Sequence, residues 1–126
     1  MSDRHRKRKE ADVLSSVRAL LKARGILHFR RNVTKIRDER GKWTEFGTPG
    51  EADILAIVKK AFPRNCVGGK VADLVAPTPV FIECKGDQGK QSGAQILFQT
   101  TVEQYGCTYL LVRSAMEVED WLRQNT

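Results

Sequence analysis

Between Glu10 and Arg24 the apolar residues Val13, Leu14, Val17, Leu20 and Leu21 recur at a spacing that keeps one face of a helix apolar. Gly25 stands where such a helix would be capped. The pattern then changes. Residues 26–32 (ILHFRRN) and 42–46 (KWTEF) read as two strands joined by the charged turn KIRDERG, which predicts a hairpin. GTPG at 47–50 is turn chemistry, and the apolar run ADILAIV that follows predicts a central strand starting near Ala52. Residues 60–78 scatter Pro63, Gly68, Gly69 and Pro77 around VADLV and read as a long loop with room for one short element. A second central strand spans 79–85, and Ser92 is placed to cap a helix running to about Gln104. Residues 107–113 (CTYLLVR) give a third apolar strand, and a helix over about 115–124 closes the chain. This order predicts an α/β fold with a mixed central sheet flanked by helices.

Composition narrows the picture. A chain of 126 residues, 40% apolar and 29% charged, has room for one core. We expect a single domain over 10–126 behind a flexible basic tail over 1–9. The net charge is +7 and the sequence pI about 9.6. Residues 1–50 hold 14 basic and 6 acidic side chains, and residues 51–126 hold 8 and 9, so the surplus lies wholly in the N-terminal half. Such a surplus points to a polyanion, nucleic acid first, although the run Arg4–Lys9 reads equally well as a solvated tail. Cys66, Cys84 and Cys107 are odd in number and widely spaced, without a CxxC pair, which suggests neither a disulfide framework nor a zinc site. No apolar stretch approaches the ~20 residues of a membrane span, and the basic start is not followed by a signal-peptide core. The expected setting is cytoplasmic.

The strand at 79–85 carries the chemistry. Alternation puts Val80, Ile82 and Cys84 on one face and Phe81, Glu83 and Lys85 on the other. Asp53 begins the preceding strand, so pairing of the two strands would converge two acids and a lysine. Converging carboxylates repel unless a cation lies between them, and hard oxygen ligands suit Mg²⁺ or Mn²⁺. A lysine beside that cation could orient water and stabilise charge on a phosphate under attack. ExK alone is weak, since an ion pair at a strand end explains it as well. Glu10 shares the helix stripe of Leu14 and Val17, or else simply favours the helix N-terminal dipole. Gln95 closes a possible S-x-x-Q capping box after Ser92, while Gln91, Gln95 and Gln99 share one helical ridge where amides could orient water or phosphate.

Taken together, a helical Glu, then GTPGEADILAI, FIECKG, SGAQ and YGCTYLLVRS, resemble the VRR-NUC domain, a branch of the PD-(D/E)xK nuclease superfamily. The resemblance spans about residues 10–115. It implies a restriction-endonuclease-like core, a Mg²⁺ or Mn²⁺ cofactor and structure-dependent DNA cutting. It makes Asp53 and Glu83 the metal-binding acids, with the Cys84 backbone carbonyl beside them, Lys85 the catalytic lysine, and Gln95 and Glu10 further members of the site. Ala52 stands where the superfamily name expects proline, Cys84 where valine is usual in ExK, and Gly93 where proline is common, and none of these removes a ligand. Small stand-alone members resemble homodimers that resolve four-way junctions, and fused versions act on flaps.

The expected function is therefore metal-dependent, structure-specific DNA cleavage, resolving four-way junctions as a homodimer, with Arg30, Arg31, Lys35, Arg37, Lys90 and the basic tail on backbone phosphates. The small stand-alone format fits a phage or mobile-element protein. The alternatives are a non-cleaving module that binds branched DNA and a nuclease acting on flaps or RNA. Residues 60–78 would then be an insertion touching DNA or a second subunit.

Overall fold

In the computed structural model, which describes residues 8–31, 34–65 and 71–126, helix α1 (Glu10–Ala23) buries Val13, Val17 and Leu21, the stripe its sequence predicts. It ends in a Schellman arrangement: Gly25 N–H donates to the Lys22 carbonyl and Ile26 N–H to that of Leu21, with Gly25 at φ +67°. The chain continues as β1 (Leu27–Arg30), β2 (Thr34–Arg37), β3 (Trp43–Phe46), β4 (Ile54–Asn65), β5 (Val71–Cys84), α2 (Gly93–Gln104), β6 (Thr108–Val112) and α3 (Ala115–Asn125). Four strands form one mixed sheet in the order β1-β4-β5-β6. The β1/β4 and β4/β5 pairs are antiparallel and β5/β6 is parallel, joined through α2. The fold is thus α/β, with a four-stranded mixed sheet flanked by helices.

Alternation along the strands divides the core in two. Ile54, Ala56 and Val58 of β4 and Val80, Ile82 and Cys84 of β5 pack with Val112 beneath α1 and with Val118 and Leu122 of α3. On the opposite face, Phe81, Tyr109 and Leu111 pack under Phe98 and Val102 of α2, with Phe81 and Phe98 edge-to-face at 5.3 Å. That second layer is incomplete: Leu27 and Phe29 of β1 remain about half exposed or more. Among the described residues no helix is long and apolar enough to cross a membrane.

Two expectations are corrected. The first strand does not pair with 42–46. β1 closes the open edge of β4, and a separate two-stranded hairpin forms from β2 and β3. Its turn is shorter than KIRDERG, because Asp38 organises the reversal: its Oδ1 accepts the N–H groups of Arg40 and Lys42 at 2.9 and 2.8 Å. Lys35, Ile36 and Arg37 are thereby left to β2.

Residues 60–65 and 71–78, expected as part of a long loop, are strand. β4 and β5 run on as an antiparallel ribbon through twelve rungs, from Ile54↔Ile82 to Asn65↔Val71. Pro63 and Pro77, which suggested a loop, and Pro79, which opened the expected strand, lie on rungs of one parity, Pro63↔Asp73, Lys59↔Pro77 and Ile57↔Pro79. A ladder that admits residues without an N–H reserves for them its non-hydrogen-bonded pairs. Each proline's other edge also meets no strand among the described residues, since β6 starts opposite Val80 and β1 reaches only to Ile57. Residues 66–70, with Cys66, Gly68 and Gly69, lie outside the described residues, as does the basic tail over 1–7. Arg8, counted with that tail, is tied to Asp87, donating from its backbone N–H to Oδ2 at 2.8 Å.

Candidate active site

The register of the ribbon places the two strand acids. Ile54 lies opposite Ile82, so one step beyond the ladder Asp53 faces Glu83 on the same side of the sheet. The Cys84 N–H donates to Asp53 Oδ2 at 2.7 Å, fixing Asp53 against the end of β5. Glu83 is 1% exposed, buried like a core residue, and Lys85 follows it at 7%. Lys85 Nζ lies 3.4 Å from Glu83 Oε2 and 3.6 Å from Glu10 Oε1. The structure therefore brings together Glu10, Asp53, Glu83, Lys85 and Gln95. Glu10 differs from its expected place: it stands exposed at the first turn of α1, beyond the buried stripe, and reaches the site from the rim.

Two close backbone approaches make this convergence possible. Gly50 lies against the first turn of α2, where an added Cβ would stand 2.2 Å from the Ala94 carbonyl oxygen, and its φ of +75° also excludes most side chains. Gly86 lies against the start of α1, where a Cβ would meet the Arg8 carbonyl oxygen at 2.7 Å and Glu10 N at 3.0 Å. The first contact seats the turn that presents Asp53, and the second brings Glu10 to Lys85. Arg113 Nη1 donates to the Gly86 carbonyl at 2.5 Å and holds the same chain segment from β6.

Gln95 serves the helix and the site at once. Ser92 Oγ accepts its N–H at 3.1 Å and its Oε1 accepts the Ser92 N–H at 2.9 Å, a complete capping box. Its Nε2 then donates to Glu83 Oε2 at 3.0 Å. With Lys85 on the same oxygen, Glu83 Oε2 is fully engaged. Glu83 Oε1 is buried and has no hydrogen-bond partner. Leaving such an acceptor unpaired costs on the order of 1–3 kcal/mol, more when it is charged. Burial, and then the facing Asp53, push the Glu83 carboxyl up to about 7; Asp53 is likewise raised, chiefly by burial, against the opposing Cys84 N–H.

Both features fit a cation. A divalent ion against Glu83 Oε1 and Asp53 would satisfy the orphaned oxygen and relieve the repulsion of the two acids. Among the described residues no group of three or more His, Cys, Asp and Glu side chains forms a metal cage. Two carboxylates, the Cys84 carbonyl and water make the kind of sparse oxygen shell Mg²⁺ accepts. The Cys84 thiol is pushed up to about 12 by burial and the neighbouring acids, so it stays protonated and is no nucleophile at neutral pH. Beside Lys85 opens a cleft of about 410 Å³ lined by Arg8, Lys9 and Glu10 on one side and Gly86–Gly89 on the other.

Some contacts escaped the sequence. Glu51 presents only 7% of its side chain to solvent, accepts the Thr48 N–H at 3.2 Å and lies 3.4 Å from Arg31 Nε. Its signal was its position two residues before Asp53. Arg31, expected on phosphate, is thus partly engaged within the fold. Arg30, Arg37 and Lys90 are exposed, and the Lys35 side chain lies outside the described residues. Gln91 is not on the α2 ridge: from the preceding loop its Nε2 donates to Gln99 Oε1 at 2.9 Å and to Tyr109 Oη at 3.2 Å. The chain matches no protein-family model, no curated protein and no solved structure.

Proposed function

We propose that this chain is a metal-dependent, structure-specific DNA endonuclease of the VRR-NUC type with a restriction-endonuclease-like core, acting on four-way junctions as a homodimer. The observation that carries this reading is the buried, unpartnered Glu83 Oε1, facing Asp53 and flanked by Lys85. Glu51 Oε1 is also buried without a hydrogen bond, but it lies 3.4 Å from Arg31 Nε, whereas the Glu83 carboxylate faces a second acid, Asp53.

Asp53 and Glu83, with the Cys84 carbonyl, would hold Mg²⁺ or Mn²⁺, which when bound supplies Lewis acidity to the scissile phosphate and lowers the pKa of water. Gln95 engages Glu83 Oε2, which leaves the buried Oε1 to meet the ion. Lys85 Nζ orients the attacking water and offsets the negative charge that grows on the phosphate. Glu10 steadies Lys85 from the rim. Arg30, Arg37, Lys35 and Lys90 would meet backbone phosphates, giving affinity that falls with salt.

The test is incubation of the purified protein with a labelled four-way junction and a matched linear duplex in Mn²⁺, Mg²⁺ or EDTA, alongside Lys85→Ala. We expect metal-dependent cutting of the junction and at least about a hundredfold loss in the variant. Tight binding with no cutting of either DNA would instead make the protein a non-cleaving branched-DNA module. Cutting restricted to flaps or to RNA would move the substrate and keep the chemistry.

A further inference from the structure

β4 and β5 outrun their sheet. Outside the Val58↔Thr78 rung, whose side chains are buried, the seven rungs from Lys59↔Pro77 to Asn65↔Val71 have no third strand beside them among the described residues. At ~3.3 Å per residue they form an arm of about 20 Å. Such a ribbon is marginal in water by itself, yet it exposes Phe62, Leu74 and Val75 at 38%, 48% and 58%. Lys60 Nζ lies 5.0 Å from the Phe62 ring centroid, so cation and ring present one mixed surface.

Charge identifies the partner. Residues 59–65 and 71–77 hold three basic side chains and one acidic, whereas residues 51–58 and 78–126 hold four basic and eight acidic. The arm is a basic island in an acidic half of the chain. We propose that it lies in the major groove of duplex DNA, about one helical turn from the scissile phosphate at the Asp53–Glu83 site. The groove is ~12 Å wide and admits a two-stranded ribbon. From the Asp53–Glu83 position to the Phe62↔Leu74 rung is nine residues along the strand, about 30 Å, against ~34 Å for one duplex turn, after which the same groove faces the protein again. Lys59 and Lys60 meet phosphates at the groove edge, and Phe62 and Leu74 lie against sugars and base edges.

The spacing rests on the nuclease reading, but contact by the arm is read by binding alone. Anisotropy titrations in EDTA would compare junctions with arms of about 8 and about 20 base pairs, for the wild-type chain, Lys59→Gln/Lys60→Gln and Phe62→Ser. The wild type is expected to bind the long-armed junction about tenfold more tightly, and the double variant to lose that preference with a salt slope lower by about 2. Phe62→Ser should lose several-fold in affinity for the long-armed junction with its slope retained. An unchanged length preference and salt slope in the double variant would overturn the proposal. So would sedimentation in which the variants dissociate a dimer while the preference persists, since the arm would then clasp a second copy. If the wild type cuts nothing in Mg²⁺ yet shows the arm-dependent preference, the nuclease reading fails and the arm stands; cutting without the preference gives the converse.

Discussion

Glu83 shows how a single buried carboxyl can lower the stability of its own fold. Its carboxyl sits near 7 in the metal-free fold against an ordinary value of 4.5, so between those pH values the folded chain binds more protons than the unfolded one. The contribution of Glu83 to the stability of the metal-free protein therefore falls as pH rises from about 4.5 to about 7, by about 3 kcal/mol at most. Glu83→Gln removes this dependence. We expect the variant, unfolded thermally in EDTA, to be more stable than the wild type at pH 8 and similar at pH 4.5, while losing Mn²⁺ binding by calorimetry and all cutting. A variant less stable than the wild type at pH 8 would mean that the charged carboxylate supports the fold. Gln95 explains how the geometry persists, since the amide that caps α2 also takes up the other Glu83 oxygen.

At the level of elements, the site depends on helices docked against loops at distances only glycine permits. Gly50→Ala would drive a Cβ into the Ala94 carbonyl, backbone that cannot swing aside, and would hold alanine at positive φ. A loss of about 2–4 kcal/mol is expected, with weaker metal binding because the displaced turn carries Asp53. Chemical denaturation and metal titration of the variant would measure both, and a loss below about 0.5 kcal/mol would show that the turn relaxes freely. The β4–β5 ribbon is held differently. Its base is fixed by Val58 and Thr78 in the core, and its outer rungs have only each other.

At the level of the whole molecule, one chain presents one set of Asp53, Glu83 and Lys85, and the proposed resolution of a junction would require two cuts. The half-covered sheet face around Leu27 and Phe29 leaves apolar area for a second copy. Sedimentation at micromolar concentration is expected to show a dimer, alone or on DNA. Monomer under both conditions would exclude paired cutting. The uneven charge, +8 over residues 1–50 and −1 over the remainder, places the main electrostatic attraction for a polyanion in the N-terminal half.

What the sequence determined is what depends on neighbours along the chain. The stripe of Val13, Val17 and Leu21, the capping box of Ser92 and Gln95, and the alternation that separates Ile82 and Cys84 from Glu83 are all local periodicities, and each appears in the fold. The α/β class followed from their order. Strand partners were not legible, because a strand's apolar pattern says which face is buried but not which edge it joins. β1 paired with β4 for that reason, against expectation. The prolines of residues 60–78 read as breaks because their harmlessness depends on rung parity and on the absence of a flanking strand. Only the tertiary structure could decide that Glu83 keeps one oxygen engaged by Gln95 and Lys85 and the other unpartnered, since Glu83 and Gln95, twelve positions apart, meet through packing at the end of a sheet.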